Sequence, residues 1–315
     1  MAFGSGDHAD DRLTPAERER LAAIRAADSL ADLVTVTGAA SEHDAYVAAK
    51  ETWADARGKE LPTRPETAGF FGTCVEVGAV RFHVHGITHA NTPAERAYLH
   101  AHVPALLEAD AAVTCEQGIR SMYFADLSAV GVMDDYRWAI EQCRALEGDS
   151  RLPPGAFDGL AEDVSSVTAE VRRALRALAE AGSEGYGEEV ARALGDLTPG
   201  FLRSHAELAT GEGPESFVLT RQAARDPARL FDLQRYYQRT FLPQPLEREW
   251  LRRHDRELEL LTHARNARMA DGAVYHHDGE RAVHLVVGAA HLPGVAYYLR
   301  QHRDGERRLD GFEPA

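Results

Sequence analysis

Lysine is nearly absent. The 315-residue chain has only Lys50 and Lys59 among 35 basic residues, so 33 are arginines, against 50 acidic residues and a net charge of -15. A phosphate-binding P-loop needs a lysine after its glycine run, and a pyridoxal enzyme needs one for its Schiff base. Lys59 lies in Arg57-Gly58-Lys59-Glu60 without that glycine spacing, and Lys50 in Ala48-Ala49-Lys50-Glu51 reads as a helix surface. The acidic balance argues against a nucleic-acid partner, which needs net basic surface to displace counterions. Cysteine is equally sparse: Cys74, Cys115 and Cys143 are odd in number and have no paired spacing. Reduced thiols and a cytoplasmic location are the expectation. No apolar run reaches the ~18 residues that span a bilayer, and the glycine-rich, acidic start lacks the basic and apolar regions of a signal peptide.

A hydrophobic fraction of 44% supports a sizeable core. Thr14-Pro15-Ala16-Glu17 is a capping box opening a helix over about 15–32, and residues 42–57 read as a second helix. Residues 58–73, with prolines and glycines, read as a loop. Val80 to His85 reads as a strand, Thr92-Pro93-Ala94-Glu95 repeats the capping-box chemistry ahead of a helix to about Glu108, and Ala111 to Glu116 reads as another strand. Strand, helix, strand at this spacing predicts parallel strands. From about 148 to 272 the pattern is helical, with helices expected near 161–181, 187–195, 199–209 and 227–240 and a long one from Leu246 to Ala270. A last strand, Ala282 to Val287, precedes a final helix starting near Pro293. The expected fold is α/β, a largely parallel central sheet flanked by helices with a large helical insertion. Its divisions are an N-terminal helical segment (1–73), the first half of the core (74–147), a helical insertion or cap (148–255) and the second half of the core (256–315).

Two segments share one form, an apolar strand followed by Gly-x-x-His: Gly86-Ile87-Thr88-His89 and Gly288-Ala289-Ala290-His291. In each, the glycine is expected to turn the chain past the strand's carboxyl end, the edge where open α/β sheets place ligands. Glu116 ends the other strand. If the three strands are neighbours, His89, Glu116 and His291 converge on one crevice. Two imidazoles and a carboxylate can bind a divalent metal and leave a position for water. The same set can work without metal, one His as base and Glu orienting it.

These segments resemble the TraB/PrgY/GumN family, related to the Tiki metallopeptidases and more remotely to erythromycin esterase-like and ChaN-like proteins. The resemblance rests on His85-Gly86-Ile87-Thr88-His89 with the strand ending in Glu116, on Arg265-Asn266-Ala267-Arg268-Met269-Ala270, and on Val287-Gly288-Ala289-Ala290-His291-Leu292-Pro293-Gly294. It covers roughly residues 80–124 and 255–300. It implies a hydrolase of amide or ester bonds with His89, Glu116 and His291 binding a divalent metal (Mn, Co or Zn), and Arg265 and Asn266 as a helix-borne polar pair. The erythromycin esterase-like branch implies a metal-free, His-dependent enzyme, and the ChaN-like branch a haem or small-ligand binding protein. The family's arginine stands nearer the strand Glu than Arg120 does here, and its membrane helices have no counterpart in this chain. A guanidinium at 265 suits a substrate carboxylate or a developing oxyanion.

Arg120, Tyr123 and His85 are further candidates for lining the substrate pocket, whose occupant is a small molecule or peptide; a homodimer is the expected assembly, with no membrane partner. Cys115 is expected to point away from Glu116 and be buried and inert. His276-His277-Asp278 is expected to face solvent in the connection before the last strand.

Overall fold

The computed structural model describes residues 12–62, 72–88, 92–124, 126–147, 205–277 and 281–314. Its centre is a mixed five-stranded sheet in the order β1-β2-β5-β3-β4. The strands are β1 (Gly72–Val77), β2 (Val80–Ile87), β3 (Ala112–Cys115), β4 (Gly131–Val132) and β5 (Ala282–Gly288). β2 and β3 both pair with β5 in parallel, and β3 with β4, while β1 is antiparallel to β2. The α/β expectation holds, and β2 and β3 are parallel as their spacing requires. They are not adjacent, because β5 enters between them. β1 occupies part of what the sequence suggests is loop. It is a short hairpin partner of β2, turned at Gly78 with φ 59°, and its half-buried pattern gives only a weak signal.

The sheet is covered on both faces. Phe82, Val84, Val283, Leu285 and Val287 pack with the helices α12 (His263–His276) and α13 (Leu292–Arg303). Ile87, Val113, Cys115 and Val286 meet α4 (Pro93–Glu108) and α5 (Gln117–Tyr123). Cys115 is fully buried, and burial pushes its thiol up to about 12, so the inert reading of this residue stands. A second core joins α1 (Pro15–Arg25), α2 (Leu30–Thr37) and α3 (Glu42–Glu60) to α7 (His205–Thr210) and α10 (Gln244–His254). The remaining helices are α6 (Asp135–Glu147), α8 (Pro214–Arg225), α9 (Leu230–Thr240) and α11 (Arg256–Leu261). The helices expected at 161–181 and 187–195 lie outside the described residues. Among the described residues no helix is long and apolar enough to cross a membrane.

Two helix boundaries differ from expectation for one reason, a capping side chain inside a helical pattern. Ser29 and Asp32 form a second capping box, so the helix expected over 15–32 is α1 and α2. Asp255 accepts the N–H of Leu258 and separates α10 from α11, and a further break at Thr262, where no side chain caps, separates α11 from α12, so the expected 246–270 helix is three helices. The box at Thr92 is only half made. Thr92 accepts the Glu95 N–H at 3.1 Å, but the Glu95 carboxylate takes the Thr88 N–H and hydroxyl instead of the Thr92 N–H.

Lys50 corrects a larger expectation. It is buried, not on a helix surface: its Nζ donates to Glu247 Oε1 at 2.8 Å and to the Leu208 carbonyl at 3.0 Å. Glu247 also accepts the Tyr46 hydroxyl and the Leu242 N–H. A lone lysine among small residues looks like helix surface only until its partner, nearly 200 residues away in sequence, is brought beside it. His276 is exposed as expected, at the end of α12, while His277 is half-buried and meets Thr114 Oγ1 at 3.1 Å.

His83, His85 and His284 share one sheet face. The rings of His83 and His85 both stack on that of His284, and His85 Nε2 meets His284 Nδ1 at 3.0 Å. Desolvation, then the neighbouring histidines, lowers His85 to about 3 and His284 to about 4. Folded values below the unfolded value mean that stability present above pH 6.5 is lost as pH falls through 4 to 3. His85→Gln is therefore expected to flatten the fall in stability between pH 6.5 and 4 in denaturant titrations; an unchanged slope would contradict neutral burial. Lys50→Ala leaves Glu247 buried without its cation and is expected to cost about 3–5 kcal/mol in urea unfolding.

Candidate active site at the sheet edge

β2, β5 and β3 end at one edge: His85 pairs with Val286, Val286 with Cys115, and Ile87 with Gly288. The two Gly-x-x-His segments thus leave adjacent strands. Ala289 donates to the Ile87 carbonyl, tying one loop to the root of the other. Gly86 does not turn the chain, as expected of it, and its backbone is not left-handed. A Cβ there would stand 2.9 Å from Leu292 Cδ1 and 3.2 Å from Ala289 Cα, so its lack of a side chain allows the β5 loop to pack against β2. His89 lies outside the described residues.

Glu116 follows β3 and is buried. Its N–H continues the ladder to Val286 O at 2.9 Å, and its carbonyl accepts the N–H groups of Ile119 and Arg120. The side chain does not cap α5. It turns to the α12 face of the sheet, where Oε2 accepts the Gly288 N–H at 2.9 Å and Oε1 accepts Arg265 Nη2 at 2.6 Å. Arg265 Nε donates to Asp135 Oδ2 at 2.7 Å, and Nη1 to the Leu261 carbonyl at 3.3 Å. Two buried carboxylates therefore share one buried guanidinium. Desolvation pushes the Asp135 carboxyl up to about 6, with Glu116 adding to the rise and Arg265 opposing it. The same two carboxylates raise Arg265 despite its burial. Arg265 is thus aimed at carboxylates of its own chain; it holds Glu116 in place. Asp135, which no sequence pattern singles out, completes the group.

His291 sits at the N-cap of α13, and its Nε2 stands 3.6 Å from Glu116 Oε1. Its Nδ1 lies 2.7 Å from Asn266 Oδ1. Asn266 Nδ2 donates to Gln244 Oε1 at 2.8 Å, Gln244 Nε2 faces His263 Nδ1 at 3.3 Å, and His263 Nε2 faces the Ala209 carbonyl at 3.1 Å. The polarity of this chain is determined from its end. A carbonyl only accepts, so His263 carries its proton on Nε2 and accepts at Nδ1. Burial lowers His263, which keeps that ring neutral. Each amide then passes the same sense along, and Asn266 Oδ1 receives the Nδ1–H of His291. In the neutral ring Nε2 is then the lone-pair nitrogen, on the side of Glu116. Gly294 is required beneath this chain, since a Cβ there would collide with Asn266 Nδ2 and stand 2.8 Å from Gln244 Cδ.

The other candidates do not join Glu116 and His291. Arg120 reaches the Leu127 carbonyl at 3.5 Å. Tyr123 is core, its hydroxyl 3.4 Å from Glu95. His85 is held by His284 on the opposite sheet face. Gln244 and His263 are the members that sequence reasoning missed. Gln244 follows a proline and His263 follows Thr262 with no motif around either, so no local signal marks them. Among the described residues no group of three or more His, Cys, Asp or Glu is arranged to hold a metal ion. His291 and Glu116 supply two donors at 3.6 Å, close to the ~3.4 Å between ligands of one tetrahedral ion with bonds of about 2.1 Å.

Arg265→Met removes the cation between two buried carboxylates and is expected to destabilise the fold by about 3–5 kcal/mol. Asp135→Asn, which leaves a balanced Glu116–Arg265 pair, is expected to cost clearly less. Chemical denaturation at pH 7 compares them, and equal costs would contradict the shared-cation reading. Comparison with known proteins adds no relative: no family model matches the chain, and neither curated proteins nor solved structures give a match.

Proposed function

We propose that the chain is a hydrolase of ester or amide bonds in which His291 activates water beside Glu116. The observation that carries this reading is the hydrogen-bond chain from the Ala209 carbonyl through His263, Gln244 and Asn266, which leaves the His291 lone pair at Nε2, 3.6 Å from Glu116 Oε1. In this mechanism Nε2 takes a proton from water, and the hydroxide oxygen bonds to the substrate carbonyl carbon. The imidazolium keeps its Nδ1–H on Asn266 and places its new N–H toward Glu116, whose carboxylate stabilises the added charge. As the carbonyl carbon's bond to the leaving oxygen or nitrogen breaks, Nε2 returns the proton to that atom. The positive end of the α13 dipole favours negative charge developing beside His291.

A divalent metal is a second reading, favoured by the separation of the two donors. His291 and Glu116 would hold it with His89, and when bound it would supply a Lewis acid. Arg265, 2.6 Å from the same Glu116 oxygen, disfavours a second cation there and puts the metal-free reading ahead.

His291→Ala is expected to lower kcat/KM on an aryl ester and anilide panel by about 10²–10⁴-fold. Asn266→Ala, which releases the ring without removing it, is expected to lose about 10–100-fold. Full activity in His291→Ala would overturn the proposal. Activity that survives a strong chelator supports the metal-free form; loss restored by Mn, Co or Zn supports the second reading.

A further inference from the structure

A cavity of about 400 Å³ opens between α1, α3, β1, the loop before α10, and α13, within the size range of small-molecule sites. Arg25, Trp53, Thr73, Gln244, Tyr297 and Arg300 are among its lining residues. Arg25 and Arg57 share the single carboxylate of Glu60, and both guanidinium groups lie over the Trp53 ring, at 5.6 and 5.8 Å from its centroid. Arg303 pairs with Asp304. The Arg300 side chain makes no hydrogen bond or ion pair with any described residue, and its charged neighbours are Arg303, Arg57 and, opposing them, Asp304. Four guanidinium groups thus gather around the cavity, with the carboxylates of Glu60, Asp304, Glu306 and Asp28 among the charged groups near its lining residues.

Other arginines nearby have structural work: Arg12 and Arg235 donate to the Leu61 and Gly58 carbonyls at the end of α3, where cations are favoured. Arg300 has no such carbonyl. It is solvent-accessible and yet crowded enough for desolvation to lower it, a combination that a concave wall produces.

We infer that this cavity is a binding site for a small anionic molecule with an aromatic or planar body, its carboxylate, sulfonate or phosphate held by Arg300 and its ring set against Trp53 and Tyr297. A guanidinium without a partner of its own supplies forked donors for such an anion. Gln244 lines the cavity and also belongs to the hydrogen-bond chain behind His291, but His291 itself does not line it. The site does not include the His291–Glu116 pair, although Leu292 and Pro293 of the same loop line it, and it does not depend on that reading.

The test uses the full chain and the probe 8-anilinonaphthalene-1-sulfonate, an aromatic sulfonate. Titration is expected to quench tryptophan emission, and Trp53→Phe to abolish most of that quenching. Arg300→Glu is expected to weaken binding at least tenfold and Arg300→Lys less. Arg281→Glu, the same charge change on an exposed residue at the start of β5, should leave binding unchanged, as should His291→Ala. Equal weakening in Arg300→Glu and Arg281→Glu, or quenching that persists in Trp53→Phe, would overturn the assignment. Loss of binding in His291→Ala would overturn the separation of the two sites.

Discussion

The site depends on one buried cation. Arg265 lies between Glu116, at the end of a central strand, and Asp135, at the start of α6. Charges of this kind are tolerated inside a protein only when paired and hydrogen-bonded. Here the pairing is one guanidinium to two carboxylates. It joins three elements from distant parts of the chain, and it leaves Glu116 able to accept the Gly288 N–H as well. The turn after β5 is consequently held against the end of β3, and His291, three residues further on, is carried to the same place.

A second polar network continues from the first. His291, Asn266, Gln244 and His263 run from the sheet edge into the helical layer, where His263 stands 3.8 Å from Glu247. Glu247 is in turn the partner of Lys50 and Tyr46 on α3. The one-sense hydrogen-bond chain ends at the Ala209 carbonyl, and the group around Glu247 that holds the N-terminal helices lies beside it, 3.8 Å away. Such a network is intolerant of a missing member, because each buried polar atom has given up water for its neighbour. It offers a physical reason for a lysine-poor chain to keep a lysine at position 50.

Much of the sheet edge was legible in the sequence. An apolar strand followed by Gly-x-x-His appears twice, and the strands that carry these motifs are adjacent in the fold. The choice of Glu116 as the carboxylate beside His291 agrees with the observed 3.6 Å approach. The roles were less legible. Arg265 reads as a substrate-facing charge until Asp135 is seen beside it, and Gly86 reads as a turn until Leu292 and Ala289 are seen against it. Helix breaks at Ser29 and Asp255 were obscured because a capping side chain inside an apolar pattern is a weaker signal than a glycine or a proline.

The sequence by itself determined the α/β class, the parallel direction of β2 and β3, the inward burial of Cys115 and the residues to watch at the strand ends. Each of these follows from local period, capping chemistry or side-chain alternation, which act over a few residues. Tertiary structure alone decided that β5 lies between β2 and β3, that Lys50 is buried, that Arg265 serves Glu116, and which nitrogen of His291 carries its lone pair. These outcomes rest on partners 20 to 200 positions away, and the proton position rests on a chain of hydrogen bonds that ends at a backbone carbonyl. No local pattern records such pairings, because burial and charge compensation are properties of the assembled core.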